Sequence, residues 1–128
     1  MKNNKELDRL SKLILDASIE VHKEIGPGLL ESVYQLCLPI EFENKGIKSA
    51  TSVKFPLIYE GVLLDEDIIV DLLVEDEIII QVKSVEQILP FHIAQLTSYL
   101  KATNKKLGFL INFNVATLEE GFRKVHNN

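Results

Sequence analysis

An acid, an amide and an amine are placed close together by one short stretch of this chain, Asp67-Ile-Ile-Val-Asp71-Leu-Leu-Val-Glu-Asp-Glu-Ile-Ile-Ile-Gln81-Val-Lys83. Two runs of Ile, Leu and Val flank the turn Glu75-Asp76-Glu77, which predicts a β-hairpin. Centred on Asp76, the hairpin pairs Val74 with Ile78, Leu72 with Ile80 and Asp71 with Gln81. Val70, Leu72, Val74, Ile78, Ile80 and Val82 then share an apolar face. The opposite face carries Asp71, Gln81 and Lys83, bordered by Ile69, Leu73 and Ile79. Directly opposed side chains lie about 4.5–5.5 Å apart at Cβ. Polar groups set in so apolar a sheet cost free energy unless they pair or bind something.

The elements that position this hairpin follow from periodicity. Residues 6–24 read as an amphipathic helix, with Leu7, Leu10, Ile14, Ala17 and Val21 at spacings of three and four. Gly26-Pro27-Gly28 breaks it. A second helix is expected from about residue 29 to 45, ended by Gly46, with a kink or split near Pro39. Val53, Phe55, Leu57 and Tyr59 alternate as a strand, which Pro56 assigns to an edge or a bulge. Pro90 opens a helix running to about Thr103. Residues 107–113 form a continuously apolar strand, and one short element follows near 119–125. The order α-α-β-β-β-α-β predicts an α/β (α+β) fold, a mixed sheet flanked by helices, in a single domain spanning residues 1–128.

At 46% hydrophobic and 26% charged residues the composition is that of a globular domain with a real core. No apolar run approaches the roughly 18 residues of a membrane span, so no membrane association is expected. The N-terminus lacks the apolar stretch of a signal peptide, and the lone Cys37 suits a reducing compartment, so a cytoplasmic location is expected. A net charge of −5 argues against a general nucleic-acid coating protein, but not against an enzyme with a local basic patch. Lys101, Lys105 and Lys106 form one small cluster, most simply solvated. No Cys/His metal cluster, Gly-rich phosphate loop or nucleophile–base signature is present.

Gly28-Leu-Leu-Glu31-Ser-Val-Tyr34 resembles the Gly-x-x-Glu-x-x-Tyr signature of the GxxExxY proteins, of the PD-(D/E)xK nuclease-like superfamily. Asp71 is similar to that superfamily's metal-binding aspartate, and Gln81-Val82-Lys83 stands where its acid-x-Lys triplet stands. Gln95-Leu-Thr-Ser-Tyr99 resembles a Gln-x-x-x-Tyr helix motif, and residues 107–113 a late strand of the same fold. The resemblance covers roughly residues 10–125, in order. It implies a restriction-endonuclease-like core and a phosphodiesterase acting on DNA or RNA with Mg²⁺ or Mn²⁺. Glu31 and Asp71 would be carboxylate ligands to the metal, with oxygens from Gln81 and the Val82 carbonyl. Lys83 would orient water or stabilise phosphate charge, and Gln95, Tyr99 and the adjacent His92 would support the site or touch substrate. Gln81 departs from the pattern, removing one negative charge and weakening metal binding.

Each residue also has a structural reading. Asp71 and Lys83 could form a cross-strand ion pair, and Glu31 could serve its helix dipole. Gln95 and Tyr99 could satisfy one another, His92 could cap a helix, and Tyr34 packs most simply in the core. Three functions therefore compete: an active nuclease, a nuclease fold reduced to binding nucleic acid or protein, and an unrelated domain with a structural polar cluster. A homodimer, paired through the edge of strand 53–59 or 107–113, and a protein partner supplying specificity are both compatible with so small a chain.

Overall fold

A computed structural model describes residues 2–127. Helix α1 (Asn4–Ile25) starts where the Asn3 side chain accepts from the Glu6 N–H at 2.9 Å, and stops at Gly26, whose φ is 74°. Its stripe of Leu7, Leu10, Ile14, Ala17 and Val21 is buried, as the spacing predicts. Helix α2 (Glu31–Asn44) follows without a side-chain cap. It runs through Pro39 unbroken, so the expected split does not occur. Leu38 and Phe42, on either side of Pro39, are wholly buried and hold the helix to the core across the missing hydrogen bond.

The sheet has five strands in the order β1-β2-β3-β4-β5. They are β1 (Ser49–Tyr59), β2 (Val62–Val74), β3 (Ile78–Lys83), β4 (Leu107–Asn112) and β5 (Phe122–His126). Helix α3 (Pro90–Thr103) makes the crossover between β3 and β4, the one parallel pair. A 3₁₀ turn (Leu118–Gly121) leads into β5, so the expected last element is a turn and then a strand. β4 is paired on both sides, and only β1 and β5 are sheet edges. Strand 107–113 therefore offers no free edge for association, whereas strand 53–59 does.

The β2–β3 hairpin has the expected register, with Leu72 opposite Ile80, Leu73 opposite Ile79 and Val74 opposite Ile78. Glu75 and Asp76 turn it at φ of 51° and 60°. Two cores result. Leu72, Val74, Ile78, Ile80 and Val82 pack under α1 and α2. Leu73, Ile79 and Leu110 pack under α3 with Leu96 and Leu100. Val70 was expected on the first face and lies on the second, beside Leu73. Residues 70 and 72 thus point to opposite faces, so the strand's alternation breaks at Asp71. Opposite the break, in β1, Ser52 has φ of 50°. The irregularity falls at the residue with the most chemistry in the sheet.

Gly121 packs against the end of β4 so closely that a Cβ there would sit 2.0 Å from the Asn112 carbonyl oxygen. Gly121→Ala should therefore force β4 and β5 apart and destabilise the fold by about 3 kcal/mol. Urea unfolding followed by circular dichroism checks this, and an unchanged midpoint would mean that the turn relaxes freely.

Candidate active site

Backbone pairing between β2 and β3 ends at Leu72 and Ile80, and two side chains continue it. The Asp71 N–H donates to Gln81 Oε1 at 2.8 Å. The Val82 N–H donates to Asp71 Oδ2 at 2.7 Å. An acid and an amide thus fill the gap where the strands diverge, each bonded to the other strand's backbone. This fixes the Gln81 amide orientation, because only its oxygen can accept from an N–H. A residue's N–H and C=O leave a strand on the same side. The Val82 carbonyl therefore also faces the gap that holds Asp71.

Helix α2 brings Glu31 to the same place. Its Oε2 accepts from the Ser84 N–H at 3.2 Å, just beyond the end of β3. Ser84 Oγ donates to the Leu29 carbonyl at 2.6 Å. Tyr34 completes the clamp from one turn along α2. Its hydroxyl donates to the Gly26 carbonyl at 2.7 Å and accepts from the Leu29 N–H at 3.1 Å. The Tyr34 ring stacks on Phe113 at 4.3 Å between centroids and is wholly buried, the core role expected of it. Glycine, glutamate and tyrosine of the 28–34 motif thus have separable tasks. Gly28, at φ of 91°, turns the chain; Glu31 faces the sheet; and Tyr34 ties the loop down.

The electrostatics show which groups meet. Burial pushes the Asp71 carboxyl above its ordinary value, the Val82 N–H and the Lys83 charge act against that, the Glu31 charge adds to it, and a Gln35 hydrogen bond opposes it. The Glu31 and Lys83 charges and the Gln35 amide all act on the Asp71 carboxyl. Gln35 was not anticipated, although it lies four residues after Glu31 on the same helix face. Asn112 was also missed. It is buried; its Oδ1 accepts from the Val85 N–H at 3.0 Å, and its Nδ2 donates to the Val85 carbonyl at 2.9 Å. This pair latches the segment after Lys83 to the end of β4. Its signal was a single amide in the otherwise apolar run 107–113.

The candidates on α3 make no hydrogen bond or ion pair to Glu31, Asp71, Gln81 or Lys83 among the described residues. Gln95 is exposed, its side chain makes no hydrogen bond among the described residues, and Tyr99 is half-buried against the α3 core. His92 is buried and caps α3, its Nδ1 accepting from the Leu89 N–H at 2.9 Å while its own N–H donates to the Leu89 carbonyl. Lys105 Nζ donates to the Asp76 carbonyl, at the hairpin turn rather than at the site.

The donor set suits one hard cation. Asp71 and Glu31 each accept from one backbone N–H, and the Val82 carbonyl faces the same gap. Among the described residues no group of three or more His, Cys, Asp or Glu is placed to hold a metal, which matches the amide at position 81. Beside Glu31 lies an open cleft of ≈ 540 Å³, lined by Leu29, Leu30, Ser32, Ser84 and Asn114 among others.

A family model described as the PD-(D/E)XK nuclease superfamily matches residues 8–125. No curated protein sequence matches the chain. Among solved structures, the crystal structure of SSO0001 is similar, with a TM-score of 0.57 at 18% identity. The match covers 75% of this chain and 49% of that one, so the chain spans about half the length of SSO0001. At that identity the likeness is one of fold. No helix among the described residues is long and apolar enough to cross a membrane.

The Asp71 shift has a consequence for stability. A carboxyl whose pKa is higher folded than unfolded binds a proton more readily in the native state. Its contribution is fully present below the unfolded value of 3.8 and is lost as pH rises through the folded value. At neutral pH the charged Asp71 therefore works against the fold. Asp71→Asn should raise the midpoint of thermal unfolding at pH 7 and reduce the difference from wild type near pH 3. Equal midpoints at pH 7 would show that Lys83 and the backbone donors offset the burial fully.

Proposed function

The chain belongs to the PD-(D/E)XK nuclease superfamily, and from that premise we propose that it is a divalent-metal-dependent phosphodiesterase acting on nucleic acid. The Gly28–Tyr34 motif supports its placement among the GxxExxY members. The observation that carries the reading is the exchange of hydrogen bonds between Asp71 and Gln81 where β2 and β3 part, beside Glu31 at the end of β3, with the Glu31 and Lys83 charges acting on the Asp71 carboxyl. Glu31, Asp71 and the Val82 carbonyl would hold Mg²⁺ or Mn²⁺, which supplies polarisation of a phosphoryl oxygen and a lowered pKa for bound water.

The remaining tasks fall to the chain's own groups. The Val82 N–H, with Gln35 alongside, orients the Asp71 carboxylate, and the Ser84 N–H orients that of Glu31. Lys83 brings a positive charge to bear on the Asp71 carboxyl and can donate to a phosphate oxygen as negative charge builds on it. Gln81 holds the β2 backbone at Asp71, and the second lone pair on its Oε1 is open to a cation.

A second reading, a nuclease fold that binds without cutting, is favoured by one observation: the acid of the triplet is an amide and, among the described residues, no third carboxylate replaces it. Cleavage of labelled single- and double-stranded DNA and RNA in Mg²⁺, Mn²⁺ or EDTA separates the two. Metal-dependent cleavage should occur and disappear in Asp71→Ala, and Lys83→Ala should lower it about 10²–10⁴-fold without loss of fold. Wild-type rates in Lys83→Ala would remove that residue from the chemistry. Gln81→Glu adds one anionic oxygen at the gap, so Mn²⁺ affinity measured by calorimetry should rise. Unchanged affinity would mean that position 81 does not face the ion. No cleavage by the wild type, with activity gained in Gln81→Glu, would establish the binding-module reading and name its cause.

A further inference from the structure

The run 107–113 is apolar except at Asn112, and that amide is only 2% exposed. Asn112 lies opposite Lys83, the last residue of β3. The ladder goes one bond further, from the Phe113 N–H to the Lys83 carbonyl at 3.0 Å. Beyond it the Asn112 side chain takes over from the main chain. Its Oδ1 accepts from the Val85 N–H, and its Nδ2 donates to the Val85 carbonyl. One side-chain amide thus bonds both backbone groups of a residue, as a partner strand would. Gly121 packs on the Asn112 backbone from the turn before β5 with no room for a Cβ, so the amide stands on a fixed base. Between the two anchored points lies Ser84, whose N–H holds Glu31 Oε2. Two residues earlier, the Val82 N–H holds Asp71 Oδ2.

We propose that Asn112 is a positioning residue, which sets the Glu31 carboxylate relative to Asp71 by fixing the backbone that carries the Ser84 N–H. This rests on the phosphodiesterase reading and adds to it a residue that acts on the metal site only through Glu31. The two carboxylates are held differently. The donor to Asp71 belongs to β3, whose path the β4 ladder secures. The donor to Glu31 lies past the end of β3. Ser84 Oγ bonds the Leu29 carbonyl, which ties this segment to the loop before α2, the helix that carries Glu31. The Asn112 amide ties the same segment to the sheet. The spacing of the two acids is therefore set where Asn112 grips Val85, and an outer residue of this kind tunes a metal site by orienting its ligand.

Amide hydrogen exchange of the metal-free chain and Mn²⁺ calorimetry test this together. In Asn112→Ala the Ser84 amide should exchange about tenfold faster while the Val82 amide keeps its protection. Mn²⁺ affinity should fall about tenfold. Leu100→Ala, a core change under α3 that also lowers the unfolding midpoint, should keep wild-type Mn²⁺ affinity and the wild-type ratio of Ser84 to Val82 exchange. In a Glu31→Gln background, Asn112→Ala should cost no further Mn²⁺ affinity, because its effect runs through Glu31. Should Asn112→Ala not fold, Asn112→Ser takes its place, since a serine hydroxyl is too short to bond both Val85 groups. Unchanged Ser84 exchange in the variant, or an equal loss of Mn²⁺ affinity with and without the Glu31 carboxylate, would overturn the positioning role. If wild type binds no Mn²⁺, the metal-dependent reading falls, and Ser84 exchange by itself upholds or overturns the positioning.

Discussion

Everything in the candidate site depends on the place where β2 and β3 stop pairing. Ordinary ladder bonds run to Leu72 and Ile80, and beyond them the strands are joined by Asp71 and Gln81 side chains bonded across to backbone N–H groups. The substitution satisfies donors that the diverging strands would otherwise leave bare. It also lets the sheet open, so that the Asp71 carboxylate and the Val82 carbonyl share a gap near the start of α2. The reversal of alternation between Val70 and Leu72 belongs to the same event, since Asp71 is turned out of the register its neighbours keep.

Helix α2 and its preceding loop complete the gap by a chain of small obligations. Tyr34 secures Gly26 and Leu29, Leu29 secures Ser84, and Ser84 secures Glu31. The result is a glutamate fixed relative to an aspartate about forty residues away without any direct bond between them. Their charges oppose one another, and burial raises the Asp71 carboxyl further. Lys83 compensates in part.

Much of this was legible in the residues. The hairpin register followed from apolar alternation around Asp76, and the buried α1 stripe and the start of α3 at Pro90 followed from periodicity and proline chemistry. Glu31 and Asp71 were singled out by motif, and in the structure the Glu31 charge acts on the Asp71 carboxyl. Gln35 escaped because half-buried glutamines on helices are common and only the fold shows that this one acts on the Asp71 carboxyl. Asn112 escaped because its task is set by Val85, in a loop without periodic pattern. Val70 was misplaced because period-two reasoning assumes a regular strand, and nothing local announces the break. Pro39 suggested a kink or a split, and the split does not occur because propensity takes no account of the buried Leu38 and Phe42 that anchor the helix.

The Asn112 latch has a consequence for biosynthesis. Glu31, Asp71 and Lys83 all precede residue 85, and the β1–β2–β3 meander that carries two of them pairs neighbours in sequence. The residue that locks their loop arrives on β4, after the α3 crossover. A growing chain therefore displays its acids before it can fix their spacing. The loop after Lys83 is locked only when the parallel pair closes, and that closure waits on long-range contacts that form slowly.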